Sequence, residues 1–575
     1  MHLLQHFKDL TVIPKNAQEL KDLILKLAVQ GKLTANWRIE NPKVQSTSKY
    51  LEQLKAEKDT LIKEKKIRKE KPLSKIEKEE FINNLPTKWE MMRLGEIGDW
   101  GAGSTPLRSN SLFYDGEINW FKSGELNNGI IDYESKEKIT ELAIQKSSLR
   151  LNKSGDVLIA MYGATIGKTA ILNVEGTTNQ AVCACTPFSC ISSSYLHLLL
   201  KALKDTFINQ GEGGAQPNIS RVKIRNQAFA LPPLEEQKEI VKVVDTLFKE
   251  VEQLEQLTIE LITLKEDFVT SALNQLTTNN SKQEWRFLQD HFKFFFNETT
   301  NIKKLRETVL QLAVQGKLTA DWREQRSLSR AEMEDASILL KRIQKEKALL
   351  IKDKKIKKEK LLPPVTKDEI PYELPEGWVW CRMGDIFLIG SSKRVFKHDY
   401  VQEGVPFFRS KEIGQLGRGE EVTTELFISR ERYEDFKVKF GVSFPGDVLM
   451  ACIGGSIGNT WLVDNREFYY KDGNLVQIRA VREIEGDYLL KYLDSTVFYD
   501  SALGRVSGSA YNALTIEKIK KSLFPLPSLE EQKTVVQKVN ALMGLCDALD
   551  QEVQQSQEHS ERLMQSCLRE VFFIS

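Results

Sequence analysis

Long apolar runs are missing from this 575-residue sequence. No apolar stretch approaches the length of about 18 residues that a membrane-spanning helix requires, so we predict no membrane span and no membrane partner. The first residues, MHLLQHFKDL, also lack the charged start and the apolar core of a secretory signal peptide. The sequence therefore indicates a cytoplasmic protein.

Cysteine and histidine are scarce, with seven and six residues respectively. Cys183, Cys185 and Cys190 form the only cysteine cluster, in an apolar, strand-like run that has no partner cluster. This arrangement predicts reduced, buried thiols rather than disulfides or zinc ligands. The isolated histidines add no metal-binding spacing, so we predict no metal site.

A basic excess is also missing, because 82 basic and 80 acidic residues leave a net charge of +2. Nucleic-acid-binding proteins often carry such an excess, so the global charge does not support that class. Any contact with nucleic acid would have to use local patches or be shared with a partner. The 41% apolar and 28% charged residues are typical of a globular protein with long solvated helices.

Known catalytic motifs are absent as well. GATIGKT at Gly163–Thr169 resembles a phosphate-binding loop, but that motif requires a longer gap between its glycines. The second half has Asn459 in place of Lys168, so a tight turn after a buried strand explains the glycines better. No dinucleotide-binding motif, amino-methyltransferase tetrad, supported Ser-His-Asp set or HExxH motif is present. The sequence thus predicts no catalytic centre.

The most informative feature that is present is a tandem duplication. Three blocks of the first half return in the second half, at a shift close to half the chain length: LKLAVQGKLTANWR at 25–38 and LQLAVQGKLTADWR at 310–323, IKEKKIRKEK at 62–71 and IKDKKIKKEK at 351–360, and LPPLEEQK at 231–238 and LPSLEEQK at 526–533. The segments between these blocks differ much more. Two copies of one frame with different inserts suggest a protein that recognises two different things at a fixed distance.

Each half has the same four parts in the same order. A helical block around Gln18–Arg38 is followed by a charged helix at Lys49–Lys71, a mixed α/β insert that opens with Leu-Pro…Trp, and a long helix. The predicted regions are helical regions at 1–84 and 286–373, inserts at 85–231 and 374–526, and long helices at 232–285 and 527–575.

A heptad pattern predicts the long helices. Apolar residues recur at spacings of three and four at Ile240, Val244, Leu247, Val251, Leu254, Leu261 and Phe268, and again at Val535, Val539, Leu542, Cys546, Leu549, Val553 and Leu563. Glu235 and Glu236 suit the positive end of the first helix. A helix from Ile240 to Phe268 would be about 43 Å long. Two such helices would most simply pair as a coiled coil; the alternative is that each packs on its own domain.

The inserts contain strand-like runs at Val157–Tyr162, Thr169–Leu172 and Ala181–Cys185, separated by turns rich in glycine and serine. Polar residues in predicted loops and turns are the candidate DNA-binding residues: Ser104, Thr105, Lys122, Ser123, Lys168, Asn179, Gln180, Gln216, Asn218, Ser392, Lys393, Arg394, Arg409, Lys411, Asn459, Asn474 and Asn512. Amides suit adenine edges, and Arg or Lys suits guanine edges or phosphate. For any single residue, the alternative is the capping of a turn.

Two other kinds of segment carry weaker signals. The basic runs Lys63–Lys71 and Lys352–Lys360 are predicted to be solvated helix faces, with contact to nucleic-acid phosphate or an acidic partner as the alternative. The aromatic run FKFFF at Phe292–Phe296 is predicted to be buried against the long helices, with an exposed partner site as the alternative.

The chain resembles the specificity (S) subunit of type I restriction–modification systems. The residues that carry the resemblance are LAVQGKL…WR, LPxxW, GDVLxAxxGxxIG and LPxLEEQK, each present twice and in that family's order. The resemblance covers essentially the whole chain. It implies an α+β fold with two pseudo-repeated α/β target recognition domains, the inserts, separated by long paired helices that form an antiparallel coiled coil.

The resemblance also implies a function. Each recognition domain would read one half of a split, asymmetric site in double-stranded DNA, and the helices would set the spacer. The chain itself would be non-catalytic and would bind no cofactor. It would recruit two methyltransferase (M) subunits with S-adenosylmethionine, and two restriction and motor (R) subunits with ATP and magnesium. We expect the repeated frame (Leu20–Arg38, Leu305–Arg323 and the two LEEQK helices) to contact M.

Three alternatives stay open at this point. The chain could serve a methylation-only complex, which has the same specificity subunit but no restriction subunit. One insert could contain an unfamiliar nuclease or methyltransferase. The inserts could bind protein, in which case the chain would be a structural scaffold.

Overall fold

The computed structural model describes residue 14 and residues 16–81, 85–211, 218–278, 283–328, 334–453, 457–470, 474–503 and 514–573. The chain divides into two compact units: unit 1 comprises Met1–Ile262 and Gln557–Ser575, and unit 2 comprises Thr263–Ser556. Each unit therefore holds one insert and segments of both long helices. In the described part of the chain, no helix is long and apolar enough to cross a membrane.

Unit 1 is built from helices and short strands. Its helices are α1 (Asn16–Val29), α2 (Ala35–Glu40), α3 (Thr47–Lys63), α4 (Glu141–Lys146), α5 (Ser193–Ala202), α6 (Lys204–Asn209), α7 (Arg221–Asn226) and the first part of α8 (Leu234–Thr278). Its strands are β1 (Glu90–Arg93), β2 (Gly98–Ala102), β3 (Tyr114–Phe121), β4 (Ile130–Ile131), β5 (Lys138–Ile139), β6 (Val157–Ala160), β7 (Thr169–Leu172), β8 (Thr177–Thr178), β9 (Val182–Pro187) and β10 (Ala228–Leu231). The sheet orders are β2-β9-β6-β7-β4, β5-β3-β8 and β1-β10. The strands predicted near 157, 169 and 181 are confirmed as β6, β7 and β9.

Strand β6 lies between two apolar cores, because successive side chains of a strand point to opposite faces of the sheet. Val157 and Ile159 belong to one core, which includes residues of α5. Leu158 and Ala160 belong to another, which includes residues of β7 and β9. Cys183 in β9 is a buried free thiol, as predicted, and burial raises its pKa to about 12.

Unit 2 repeats this plan. Its helices are the rest of α8, α9 (Gln283–Asp290), α10 (Phe292–Phe295), α11 (Thr299–Val314), α12 (Ala320–Leu328), α13 (Ala336–Lys352), α14 (Met383–Ile386), α15 (Ser410–Gly417), α16 (Arg430–Phe440), α17 (Gly486–Leu493), α18 (Thr496–Leu503), α19 (Ile516–Lys521) and most of α20 (Leu529–Phe573). Its strands are β11 (Val379–Arg382), β12 (Phe387–Gly390), β13 (Tyr400–Val401), β14 (Val405–Phe408), β15 (Phe427–Ile428), β16 (Val448–Ala451), β17 (Thr460–Leu462), β18 (Tyr469–Tyr470), β19 (Leu475–Ala480) and β20 (Leu523–Leu526). The sheet orders are β12-β19-β16-β17, β13-β15-β14-β18 and β11-β20.

A two-stranded ribbon joins the two ends of each insert. In unit 1, Glu90 at the start of β1 pairs with Leu231 at the end of β10. In unit 2, Val379 pairs with Leu526 in the same way. The long helices α8 and α20 begin a few residues after these ribbons, so each helix starts beside the entrance of its insert.

A buried carboxylate ties the repeated blocks of unit 1 together. Glu236, in the first turn of α8, is 1% exposed. It accepts hydrogen bonds from the Thr34 hydroxyl (2.7 Å), the Arg38 guanidinium (2.6 Å) and the Trp89 indole (2.9 Å). These donors belong to the KLT…WR block and to the Leu-Pro…Trp segment. The motifs that recur in sequence therefore meet at one carboxyl side chain, which needs these partners because it is removed from water.

Unit 2 contains the same network at Glu531, which is 3% exposed. The Thr319 hydroxyl (2.7 Å), the Arg323 guanidinium and the Trp378 indole (2.8 Å) donate to its carboxylate. The same donor types in the same chain order confirm that the duplication extends to three dimensions within each unit.

A glycine completes each network. Gly31 has a left-handed backbone (φ +72°), and a Cβ atom there would lie 3.0 Å from Pro86 and from the Trp89 ring. Its carbonyl accepts a second hydrogen bond from Arg38 (2.8 Å). Gly316 is equivalent, with φ +69°. Glycine is required here for the turn and for the close approach of the Leu-Pro…Trp segment.

The charged helix is shorter than the predicted Lys49–Lys71, because α3 ends at Lys63. Lys65 adopts a left-handed backbone (φ +57°), and the N–H of Lys66 donates to the Leu61 carbonyl (2.9 Å), which terminates the helix. Lys354 ends α13 in the same way, also at φ +57°. The basic runs therefore lie largely outside the helices, and the prediction of basic helix faces was wrong there.

The long helices are longer than the heptad pattern predicted. Helix α8 has 45 residues, equivalent to about 68 Å, and α20 has the same number. In unit 1, Val251 of α8 packs near Leu563 of α20; in unit 2, Val269 of α8 shares a cluster with Val553. Numbers rise along α8 while they fall along α20, so the helices run antiparallel. The heptad pattern predicted that Leu261 lies in the contact between the helices. This prediction was wrong, because Leu261 is 46% exposed.

Only part of the aromatic run at 292–296 is buried as predicted. Phe295 and Phe296 are buried in the unit 2 cluster that contains Val269 and Cys546. Phe294 is 47% exposed. The backbone turns in the short helix α10, so not all of these rings can face the long helices.

We expect Glu236→Ala to destabilise unit 1 by about 3–5 kcal/mol, because the half-buried Arg38 and the buried Trp89 lose their acceptor. Hydrogen–deuterium exchange should become faster in α2 and around Trp89 and stay unchanged in unit 2. Glu531→Ala is the reciprocal variant and should affect unit 2. Glu235→Ala, at an exposed carboxylate, is the control. Equal losses from Glu235→Ala and Glu236→Ala would contradict this account.

Candidate nucleic-acid interface

The loops of the first insert that are predicted to bind DNA meet at the end of β2. The backbone N–H of Ser104 donates to the Thr178 carbonyl (3.0 Å), and the N–H of Asn179 donates to the Phe121 carbonyl (3.0 Å). Ser123 opens the short turn that follows β3. The loop after β2, the turn after β3 and the β8–β9 turn are thereby joined. They bring together the predicted residues Ser104, Thr105, Lys122, Ser123, Asn179 and Gln180.

A second group adjoins the first. Lys168 lies at the end of the turn that follows β6, and Tyr162 in that turn forms a β-bridge with Asn218. The N–H of Met161 donates to the carbonyl of Ala181, the residue directly before β9 (2.8 Å). This hydrogen bond connects the turn after β6 to the β8–β9 turn. The predicted turn after a buried strand is confirmed. Gln216 lies outside the described residues.

The loop after β2 depends on glycine at position 103. A Cβ atom on Gly103 would lie 2.2 Å from the carbonyl oxygen of Thr178 and 2.3 Å from that of Asn179. This close approach allows the Thr105 hydroxyl to donate to the Gln180 side chain. Both side chains are exposed, so their remaining hydrogen-bonding groups are available to a ligand.

One carboxylate neutralises two cations in the first insert. Glu137 accepts hydrogen bonds from Arg108 (2.9 Å) and Lys122. Arg108 lies 4.8 Å from the ring centroid of Tyr114 and 5.0 Å from that of Trp120, and Lys122 lies 5.3 Å from Trp120. Hydrogen bonding from Lys122, and then from Arg108, holds the pKa of Glu137 below its usual value despite its partial burial. We call these five residues the Glu137 cluster.

The second insert brings its predicted amides together at the equivalent place, the end of β16. The N–H of Ala451 donates to the Asn459 carbonyl (2.9 Å), and the N–H of Cys452 donates to the Asn474 carbonyl (2.7 Å). The two asparagines therefore flank the exit of this central strand. Asn512 lies outside the described residues.

The loop after β12 adds cations to this place. The Ser392 hydroxyl donates to the Tyr470 carbonyl, and the N–H of Lys393 donates to the Tyr469 hydroxyl (3.1 Å). The side chains of Lys393 and Arg394 each lie 5.4 Å from the centroid of an aromatic ring. The ring face attracts the cation, and this contact orients the side chain.

The remaining predicted cations of the second insert are ion-paired. Arg409 pairs with Glu412 (2.8 Å) and with Glu425 (3.4 Å), and Lys411 also pairs with Glu425 (3.4 Å). Lys411 lies in helix α15 rather than in the predicted loop. The helix starts at residue 410, because the carboxylate of Glu412 accepts a hydrogen bond from the N–H of Arg409 and caps the helix.

Sequence reasoning missed Arg108, Glu137 and Glu425. Glu137 lies 15 residues or more from its cations along the chain, so no local pattern joins them. Among the described residues, no group of histidine, cysteine or acidic side chains could hold a metal ion. Each insert thus presents amides, hydroxyls and oriented cations at one sheet end, which are the groups that read base edges and bind phosphate.

The two inserts and the helices that follow them match a known family model. Residues 86–263 and 375–558 match the type I restriction modification DNA specificity domain. The EcoAI specificity subunit from Escherichia coli is 28% identical, over 92% of this chain and 90% of its own. The EcoEI specificity subunit from the same species is 28% identical, over 94% and 91%. The HsdS subunit from Thermoanaerobacter tengcongensis is 18% identical, with a TM-score of 0.41 over 85% of this chain and 97% of that chain.

We expect Gly103→Ala to displace the loop after β2, because the added methyl group meets two backbone carbonyls that have little freedom to move. The Ser104 amide should lose hydrogen-exchange protection, and the insert should lose about 1–3 kcal/mol of stability. Gly124→Ala is the control, since a Cβ atom there meets nothing within 4 Å. Protection of Ser104 that survives in Gly103→Ala would refute the packing argument.

Proposed function

We infer the function of this chain from its family, because the chain belongs to the type I restriction modification DNA specificity family. The defining domain occurs twice, once at each insert. Recognition of DNA sequence is the role of this family's specificity subunits. The details below are our proposal for this chain.

We propose that each insert reads one half of a split, asymmetric DNA site. The observation that carries this proposal is the pair of equivalent sheet ends with different side chains. Lys168 in the first insert corresponds to Asn459 in the second, and Lys122 corresponds to Arg409. Because a lysine, an arginine and an amide favour different base edges, two such surfaces suit two different half-sites. The full set of proposed reading residues is the one predicted from the sequence.

The antiparallel helices α8 and α20 set the spacer between the half-sites in this proposal. Each has a length of about 68 Å, which is close to two turns of DNA at roughly 34–36 Å per turn. An uninterrupted helix is stiff over this length, so it supports a fixed rather than a variable gap.

We propose that the chain is non-catalytic and acts in the cytoplasm within a larger complex. Two M subunits with S-adenosylmethionine would methylate adenine, and two R subunits with ATP and magnesium would cleave unmodified DNA. The two units offer M two similar surfaces, which supports a pair of M subunits. Glu236 and Glu531 are buried, so the repeated frame would contact M through its exposed residues, such as Asn36 and its counterpart Asp321.

The first test is genome-wide adenine methylation in a methylation-free host that expresses this chain with its neighbouring M gene. We expect a split motif with a fixed gap, and its loss when this gene is omitted. A continuous motif would rule out two separate readers. Methylation that persists without this chain would support the scaffold alternative, and methylation without restriction would identify a methylation-only complex.

The helices provide a second test. We insert one heptad into both helices at the boundary between the units, after Ile262 and after Ser556. This lengthens each helix by about 10 Å, which corresponds to roughly three base pairs at about 3.4 Å each. The methylated motif should keep both half-sites and gain a spacer of that size. An insertion in α8 alone breaks the match between the helices and serves as the control. If the double insertion left the spacer unchanged, the helices would not be the elements that set its length.

A further inference from the structure

Both inserts carry a basic residue directly after an equivalent strand. Lys122 follows β3 and Arg409 follows β14, in the related segments FKSGEL and FRSKEI. In both, the N–H of the basic residue donates to the glutamate three positions later, which is Glu125 (2.9 Å) or Glu412 (2.8 Å). This shared cap fixes the place where the basic side chain leaves the sheet.

A second carboxylate reaches each basic residue from a neighbouring strand. Glu137 directly precedes β5, which pairs with β3, and it binds both cations of the Glu137 cluster. Glu425 lies just before β15, which pairs with β14, and it binds Arg409 and Lys411. Each insert therefore joins two cations to one carboxylate at an equivalent position.

These carboxylates contribute little to folding. The side chains of Glu137 and Glu425 are 38% and 58% exposed. Ion pairs in contact with water stabilise a protein only weakly, because solvent screens the charges. The same arrangement in two inserts whose sequences otherwise differ points to a role in binding.

We propose that Glu137 and Glu425 are positioning residues for DNA recognition: each holds its two cations in a fixed direction and limits their binding to phosphates of any sequence. This inference rests on the proposed function, since it concerns the cations that would face DNA. It adds specificity-determining residues that make no base contact of their own.

The physical reason is competition between carboxylate and phosphate. Sequence-independent affinity for DNA comes from Lys and Arg side chains that neutralise phosphates. A cation that already has a carboxylate partner gains less from a phosphate. Glu137 stays ionised near neutral pH, because hydrogen bonding from Lys122 lowers its pKa. A hydrogen bond to a base edge depends more on the direction of the side chain than a phosphate contact does. A cation that is held by a carboxylate keeps that direction.

The test uses the full-length chain in complex with its M partner, and Glu137→Gln as the variant, which keeps the side-chain shape and removes the charge. Binding to a random-sequence DNA duplex should strengthen severalfold. The slope of log affinity against log salt should steepen by about 0.9 for each additional DNA phosphate that the variant neutralises. In the methylation-free host, methylation should spread to sites that are mismatched in one half only.

Matched variants separate this effect from a general change of charge. Glu425→Gln is the reciprocal variant, for which mismatches should appear in the other half. Glu117→Gln and Glu421→Gln remove the same charge at exposed carboxylates, which form no ion pair within the described part of the chain. Both should resemble the wild type.

Two results would overturn the proposal. In one, Glu137→Gln has no more effect than Glu117→Gln. In the other, Glu137→Gln loses methylation at the correct site and gains none at mismatched sites. That result would mean that Glu137 itself reads a base or supports the fold. The wild-type split motif is measured first. If it is present, failure of the variants leaves the proposed function intact; if it is missing, the proposed function fails instead.

Discussion

The rest of each unit depends on one carboxyl side chain that is removed from water, Glu236 or Glu531. A carboxylate that is 1% or 3% exposed is costly to bury unless its lone pairs are filled, so its donors must be in place when the unit folds. Those donors come from the helical block and from the first residues of the insert. The network therefore fixes the insert against the long helix at its base, and loops at the far end of the sheets can differ between the units without loss of the frame.

Much of this architecture could be predicted from the sequence, because the signals are local. Apolar, strand-like runs between turns rich in glycine and serine identified β6, β7 and β9, and the heptad pattern identified α8 and α20. The ends of the charged helices could not be predicted, because Lys65 adopts a left-handed backbone that glycine or asparagine normally signals. Glu236 was placed correctly in the first turn of α8, but its burial depends on partners that lie far away along the chain.

The candidate site was predictable as a set of loops and less so as a set of contacts. Ser104 and Asn179 are close because β2 and β9 are neighbours, which the strand signals alone do not establish. The Glu137 cluster was missed for the same reason. Whether a glutamate faces solvent or a cation on the next strand is decided by sheet order, and sheet order is a property of the whole insert.

The ion pairs at the sheet ends are in keeping with the small net charge of +2 in a member of a DNA specificity family. Lys122, Arg409 and Lys411 are each opposed by a carboxylate. Phosphate attraction from these three cations is therefore weakened. In the proposed function, this chain supplies direction and shape through oriented cations and amides held by the sheet. In that proposal, the partner subunits supply most of the sequence-independent attraction to DNA, so high affinity and correct sequence are joined only in the assembled complex.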